Sequence, residues 1–345
     1  IKGTDAHQTV DAVLALEHAV GIGALDHHGS RLDARFVTVQ HIQDLDAVAV
    51  GFGPAGVHTV EHFGPVLCFG TAGTGGFSSR NLSVGAYDNA YFDVVIGVFM
   101  LLFGVNFNLY YFLLVRRFRE VFHSEELRAY VLIVAAAVGA ITVNILHMYG
   151  SVWQSLRHAF FQVSSIITTT GFATTDFNTW PTFSKAILVT LMFVGACAGS
   201  TGGGIKVARL VILSKTSLCD MRRMLHPNAV STVRFEGKPM GDKQIRSVHL
   251  FLTVYLMVFC ISCLLLSLEH MDLITTFTAV ASCMNNIGPG LEIVGPMGNF
   301  SSFSYASKLL LSFDMLAGRL ELFPMLLLFS PSIWKRRLPV RSSQN

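Results

Sequence analysis

Charge is what this sequence has least of. Only 14% of its 345 residues are Asp, Glu, Lys or Arg, while 52% are apolar; ordinary soluble chains carry about 25% charge. That shortage excludes a conventional soluble domain and makes the lipid bilayer the expected surroundings. A net charge of +3 is too small to indicate a nucleic-acid partner. Cysteine is sparse too, and the six positions (68, 197, 219, 260, 263 and 283) lack the spacing of a zinc site. Cys260-x-x-Cys263 lies one helical turn apart in an apolar run with no second pair, so helix packing accounts for it. The chain does not begin with Met, and no basic start with a small-residue cleavage site opens it. The expectation is a fragment.

Phenylalanine nearly deserts the first seventy residues, which hold four of the 27 Phe but seven of the 13 His. The longest uncharged run there, between Asp46 and Glu61, has 14 residues and is broken by Gly51, Gly53, Pro54 and Gly56. A bilayer crossing takes about 20 apolar residues. Residues 1–70 are therefore an atypical, unassigned segment with weak helical periodicity at Val10–Val20. His27 and His28 lack a carboxylate or Cys at ligand spacing, so no metal site is expected there.

From Thr71 the texture changes. Uncharged runs of 22, 28, 20 and 22 residues lie between Asp93 and Arg116, Arg128 and Arg157, Lys185 and Lys206, and Arg246 and Glu269. They predict helices over Val94–Val115, Ala129–His147, Phe183–Leu213 (broken) and Val248–Leu268, with Ser307–Trp334 as the last. Between them lie two short semi-apolar segments, Trp153–Thr168 and Met271–Asn285. Sixteen residues span only about 24 Å as helix, which fits re-entrant pore helices. Tyr149, Trp153 and Trp180-Pro181 read as interface markers. Asn106 and Asn108 read as interhelical hydrogen-bonding residues.

The order helix, short helix, Gly turn, helix repeats. Thr74-Gly75-Gly76-Phe77 aligns with Thr169-Thr170-Gly171-Phe172, and Asn286-Ile287-Gly288-Pro289 is the third turn. The expected division is a partial repeat over 71–127 (turn and second helix only), a complete repeat over 128–215 and a cytoplasmic loop over 216–247. The last repeat covers 248–334 and a basic tail 335–345. Charge placement tests this independently. The loops 116–128 and 206–246 with the tail hold 17 of the 25 Lys and Arg, which sets them on the cytoplasmic side and the turns outside.

Glycine in a turn admits torsions closed to other residues, so successive carbonyls can face one way. Rings of such carbonyls replace the hydration shell of an alkali cation, and the flanking Thr hydroxyls add neutral oxygens. The turns contain no Asp or Glu, which argues against a divalent-cation filter. The competing reading is three tight extracellular turns. Gly199, Ser200, Thr201, Gly202, Gly203 and Gly204 interrupt an apolar helix. Each Gly costs roughly 1 kcal/mol against Ala there, and irregular backbone at membrane depth persists only where it is enclosed by protein or lines a cavity. Loose packing is expected at this loop, with Ser200 and Thr201 satisfying freed backbone groups. A phosphate-binding loop would need Lys at 205 and Ser or Thr at 206; Ile205 and Lys206 exclude it. Arg319 lies about 18 Å into the last helix. It either faces a pathway or pairs with a carboxylate such as Asp314 of a neighbouring subunit.

The stretches TTTGFATTDFNTWP, GACAGSTGGGIKVARL, HPNAV at 226–230, NNIGPGL and MLAGRLELFPMLLLFSPSIW together resemble the membrane, pore-forming subunit of the Trk/Ktr potassium-uptake family, the Trk type in particular, over about Thr71–Trp334. The resemblance implies an all-α polytopic membrane protein with tandem helix–pore helix–filter–helix repeats around a central pore in the bacterial inner membrane. It implies filter glycines at Gly76, Gly171 and Gly288, potassium at Thr170, Gly171, Ile287 and Gly288, and a gate at Gly199–Gly204 with Arg319 projecting toward the pore. Potassium is then the transported ligand, with no covalent cofactor and no enzymatic chemistry. The implied partners are a second copy of the chain and a cytosolic nucleotide-binding regulatory subunit. Four repeats are implied, and residues 1–70 do not show the helices that should precede Thr71; the chain is expected either to be N-terminally incomplete, with an out-of-frame or foreign start, or to carry a divergent segment there, with transport impaired. Two other functions stand beside this one. A sodium-coupled solute carrier would show paired inverted repeats with two broken helices, where the sequence indicates same-direction repeats and one break. The other is a non-transporting fragment.

Overall fold

A computed structural model of the chain describes residues 65–78, 80, 82–226, 232–319 and 325. The chain divides into two units, Ile1–Cys68 and Phe69–Asn345; the first is described only from residue 65, within a helix that continues into the second, and apart from that helix the account below concerns the second. The expected N-terminal segment up to residue 64, with His27 and His28, most of the HPNAV stretch and the basic tail lie outside the described residues. So does the last helix beyond Arg319, apart from Met325.

Helix α1 (Pro65–Ala72) leads into the first turn, and α2 (Ala90–Phe103), α3 (Phe107–Leu114) and a short α4 (Phe118–His123) follow. The next repeat consists of α5 (Glu125–Tyr149), α6 (Val152–Ile167), the second turn, and a split helix, α7 (Thr182–Phe193) with α8 (Val207–Leu225). A hairpin of β1 (Arg234–Phe235) and β2 (Lys238–Pro239) sets Phe235 opposite Lys238. The last repeat is α9 (Asp242–Leu266), α10 (Leu273–Asn285), the third turn and α11 (Tyr305–Arg319).

Local chemistry fixes the element ends. Ser124 Oγ accepts the Leu127 N–H at 3.3 Å to cap α5, and Glu125 and Glu126 fill its first turn, where negative charge meets the positive end of the helix dipole. Gly150, at φ +64°, closes that helix by donating to the Leu146 carbonyl. Helices α5 and α9 are long and apolar enough to cross a membrane, with α2 and α3 a third span if the bent pair counts as one. Their outer faces expose Leu132, Val143, Ile261 and Leu264, which suits contact with lipid. The short helices are central: residues 161–167 of α6 and 278–285 of α10 are buried without exception.

Four expectations need correcting. The single helix over Val94–Val115 is two helices bent by 92°. Gly104 weakens the run, and the Asn106 side chain accepts the Asn108 N–H at 2.9 Å, capping a new helix. The broken helix of the second repeat is thus not the only break. A helix also precedes the first turn, where none was expected: Pro65 suits the first helical position because its missing N–H has no partner to lose, and eight residues are too few for a periodic signal. Trp180 is buried in protein, donating from Nε1 to the Tyr149 hydroxyl at 3.2 Å; among the expected markers, Trp153 is exposed.

Asp93 in the first turn of α2 meets Arg157 of α6 at 2.6 Å, with side chains 2% and 15% exposed. Asp88 adds a longer contact of 3.4 Å. Removing one partner of a buried pair costs about 3–5 kcal/mol, whereas replacing both with apolar groups is often neutral. Asp93→Ala is expected to destabilise the fold by about 3 kcal/mol, measured as a lower thermal unfolding midpoint in detergent. Adding Arg157→Met should recover most of the loss. Equal midpoints for the parent and both variants would show that the pair does not hold α2 to α6.

Candidate functional site

The three turns follow one backbone course. Each begins with a non-glycine residue in the left-handed region and places a glycine there two residues later. The pairs are Thr74 (φ +50°) and Gly76 (+64°), Thr169 (+57°) and Gly171 (+84°), and Asn286 (+56°) and Gly288 (+109°). The intervening residue donates its N–H to the carbonyl five residues back in every case. Gly75 reaches Gly70 at 2.8 Å, Thr170 reaches Ser165 at 2.9 Å and Ile287 reaches Ser282 at 2.9 Å. In the second and third turns the serine there also braces the far side: Ser165 Oγ donates to the Phe172 carbonyl at 2.6 Å and Ser282 Oγ to the Gly288 carbonyl at 2.7 Å. Gly70 has no hydroxyl, and the missing side chain leaves room for the Phe172 ring, whose tip a Cβ at Gly70 would meet at 3.2 Å. Phe172 is buried accordingly, while Phe77 is exposed.

The glycines also fix how the turns adjoin. A Cβ on Gly76 would lie 1.9 Å from the Thr170 carbonyl oxygen, and one on Gly171 would lie 1.9 Å from that of Ile287, with Pro289 Cδ at 3.2 Å. Only glycine permits such an approach. The first and second turns therefore each lie against the carbonyl just ahead of the next turn's glycine, in chain order. Gly288 meets no described atom within 4 Å. The C-termini of α1, α6 and α10 all arrive at this point, and each helix end carries roughly half a negative charge. Backbone carbonyls and helix ends together make a region suited to a cation without any carboxylate.

Below the turns the chain is unwound from Val194 to Lys206, between α7 and α8. The Gly203 N–H donates to Thr169 Oγ1 at 2.6 Å, and Thr74 Oγ1 donates to the Thr201 carbonyl at 2.9 Å. Those hydroxyls, expected as oxygens of the turns, face the loop. A Cβ on Gly202 would lie 3.0 Å from the Thr168 carbonyl oxygen, and one on Gly203 would lie 2.4 Å from that of Asn285. The loop thus presses its glycines against the last carbonyls of α6 and α10. Arg319 covers the third, donating to the Gly73 carbonyl at 3.4 Å and to the Thr201 carbonyl at 2.8 Å. Lys206 Nζ donates to the Gly202 carbonyl. Asp314 does not serve Arg319 within this chain; it is buried and accepts the Ser262 hydroxyl at 2.8 Å.

The expectation of a loosely held loop is overturned. Ser200 Oγ does donate to the Cys197 carbonyl at 2.6 Å, but most anchors come from elsewhere. The bend between α2 and α3 supplies two: the Cys197 N–H donates to the Gly104 carbonyl at 3.0 Å, and the Phe107 N–H donates to the Gly199 carbonyl at 3.2 Å. Glu126 supplies two more, its Oε1 accepting the Ala198 N–H at 2.5 Å and the Ala208 N–H at 3.2 Å. Sequence reading missed Glu126. Its only signal was a carboxylate at the start of an apolar helix, which capping explains equally well.

The chain is 36% identical over 270 residues to the Trk system potassium uptake protein TrkH of Salmonella typhimurium, covering 77% of this chain and 56% of that protein. It is 35% identical over 274 residues to the Trk system potassium uptake protein TrkG of Escherichia coli K12, covering 78% of this chain and 56% of the relative. The chain therefore spans just over half the length of these relatives. The crystal structure of the potassium transporter TrkH from Vibrio parahaemolyticus superposes with a TM-score of 0.73 at 29% identity, over 94% of this chain and 70% of that one. A family model, TrkH, described as a cation transport protein, matches residues 68–336, and this chain, an all-α multi-pass membrane protein, belongs to that family.

Proposed function

We propose that this chain forms the greater part of a potassium pathway in the bacterial inner membrane and serves potassium uptake. The supporting observation is the set of three turns that share one pattern of left-handed residues, set side by side through Gly76 and Gly171 above one unwound loop. Potassium is the transported ligand, held by backbone carbonyls of Thr74–Phe77, Thr169–Phe172 and Asn286–Pro289, with Thr170, Gly171, Ile287 and Gly288 nearest the ion. Gly199–Gly204 and Arg319 gate the path from below. The working unit is a homodimer regulated by a cytosolic nucleotide-binding subunit, as the family resemblance implies. No covalent chemistry is involved.

The solute-carrier reading gains one point and keeps its main weakness. A second helix break exists, between α2 and α3, but the three turns run in the same sense along the chain, and no inverted pair relates them. Rubidium uptake into potassium-starved cells, for this chain and for a form extended to the relatives' length, separates the readings. Uptake by the extended form, competed by potassium and indifferent to sodium-coupled organic solutes, supports the proposal. Absence of uptake with normal surface expression overturns it.

Gly171→Ala is expected to lower potassium selectivity over sodium about tenfold or more, because the methyl collides with the Ile287 carbonyl and opposes the torsion. Unchanged relative permeability at normal expression would make Gly171 a turn residue only. Deleting Gly199–Gly204 should raise basal flux in proteoliposomes of the protein extended to the relatives' length. Arg319→Ala should act in the same direction by about tenfold, as expected for losing a charged hydrogen bond worth about 1.5–3 kcal/mol. The two changes together should be less than additive. A fall in flux from the deletion, in a folded protein, would mean that the loop supports the path.

A further inference from the structure

We propose that Glu126 is the positioning residue that clasps the intramembrane loop shut, and that the hairpin of β1 and β2 latches this clasp from the cytoplasmic side. The inference rests on the gate reading above and extends it to residues outside the pathway. Glu126 is buried at the start of α5. One of its oxygens accepts N–H groups from both sides of the loop, Ala198 before it and Ala208 after it. A single carboxylate thereby ties together the two flanks of the Gly199–Gly204 loop. Ala208 stands in the first turn of α8, where a carboxylate also meets the positive end of the helix dipole.

The hairpin reaches this carboxylate through its neighbours. Glu236 Oε1 accepts the Ser124 hydroxyl at 2.9 Å and the Glu126 backbone N–H at 3.3 Å. In return Glu125 Oε2 accepts the Glu236 N–H at 3.2 Å. Lys215 of α8 closes the circuit, donating to Glu125 at 2.6 Å and to the Arg234 carbonyl at 2.9 Å. Glu236 and Gly237 form the two-residue tip, both at positive φ (+51° and +73°). A glutamate held there is strained, and such a conformation persists where surrounding contacts over-determine it. The reciprocal bonds supply those contacts. Displacement of the hairpin by a cytosolic body would withdraw Glu236 from the first turn of α5, shift Glu126 and free both ends of the loop. The device turns a push at the surface into release of a loop inside the membrane.

Cys197 reports on the clasp, because it is fully buried next to Ala198. The test uses the protein extended to the relatives' length, in proteoliposomes, with every cysteine except Cys197 changed to alanine, and measures alkylation of Cys197 by a small membrane-permeant maleimide, alongside rubidium flux. Glu126→Ala should speed alkylation at least about tenfold, as loss of charged hydrogen bonds implies. Glu126→Gln, which keeps the acceptor oxygen, should stay within a few-fold of the parent. Glu236→Ala should give a smaller rise, and adding it to Glu126→Ala should change nothing further. A second chain carrying Cys283 alone controls for general unfolding, since that residue is buried in α10. The proposal falls if Glu126→Ala leaves Cys197 unreactive, if Glu126→Gln behaves like Glu126→Ala, if the Glu236 effect adds in full, or if Cys283 accelerates equally. Faster alkylation of Cys197 without a change in flux would uphold the clasp and overturn the gate reading instead.

Discussion

An unpaired backbone N–H or C=O in hydrocarbon costs several kcal/mol, and this fold is shaped by avoiding that cost at every place where a helix stops short. Three pore helices end inside the bundle, and two longer helices break there. Each interruption is answered by another. The bend after α2 lends a carbonyl at Gly104 and takes one from Gly199, so two broken helices complete each other. The loop supplies an N–H to Thr169 and a carbonyl to Thr74 and Arg319. Irregular backbone is tolerated because it is paired with irregular backbone.

That mutual dependence decides what could be read from sequence alone. Gly199–Gly204 was legible because three consecutive glycines in a membrane-length run have no cheap explanation in a helix. The first two turns were legible through their shared Thr-x-Gly-Phe spacing and the third through Gly288, and α6 begins and ends within one residue of the expected bounds. The bend at Gly104 was not, because one Gly and one Asn in an apolar run look the same as a packing site with a polar contact. Helix α1 was too short for periodicity to register. Trp180 was misread because an aromatic with a polar edge suits either a lipid interface or a buried hydroxyl partner, and the Tyr149 hydroxyl lies 31 residues away in sequence.

Glu126 shows the limit most clearly. Its partners Ala198 and Ala208 are 72 and 82 residues away, and they offer only main-chain groups, which carry no side-chain signature. The same holds for Arg319, whose acceptors at Gly73 and Thr201 are carbonyls. Motifs disclose the residues that must be glycine. They do not disclose the side chains that hold those glycines in place.

The outer rim of the turns has a mechanical meaning. Asn178 and Glu292 exchange two hydrogen bonds, at 3.1 Å and 3.0 Å. Ala173 accepts from the Gly85 N–H at 3.0 Å and donates to Ser83 Oγ at 3.3 Å. These ties join the segments that follow neighbouring turns, the first to the second and the second to the third. Neighbouring turns therefore cannot part without breaking bonds made by residues that belong to neither.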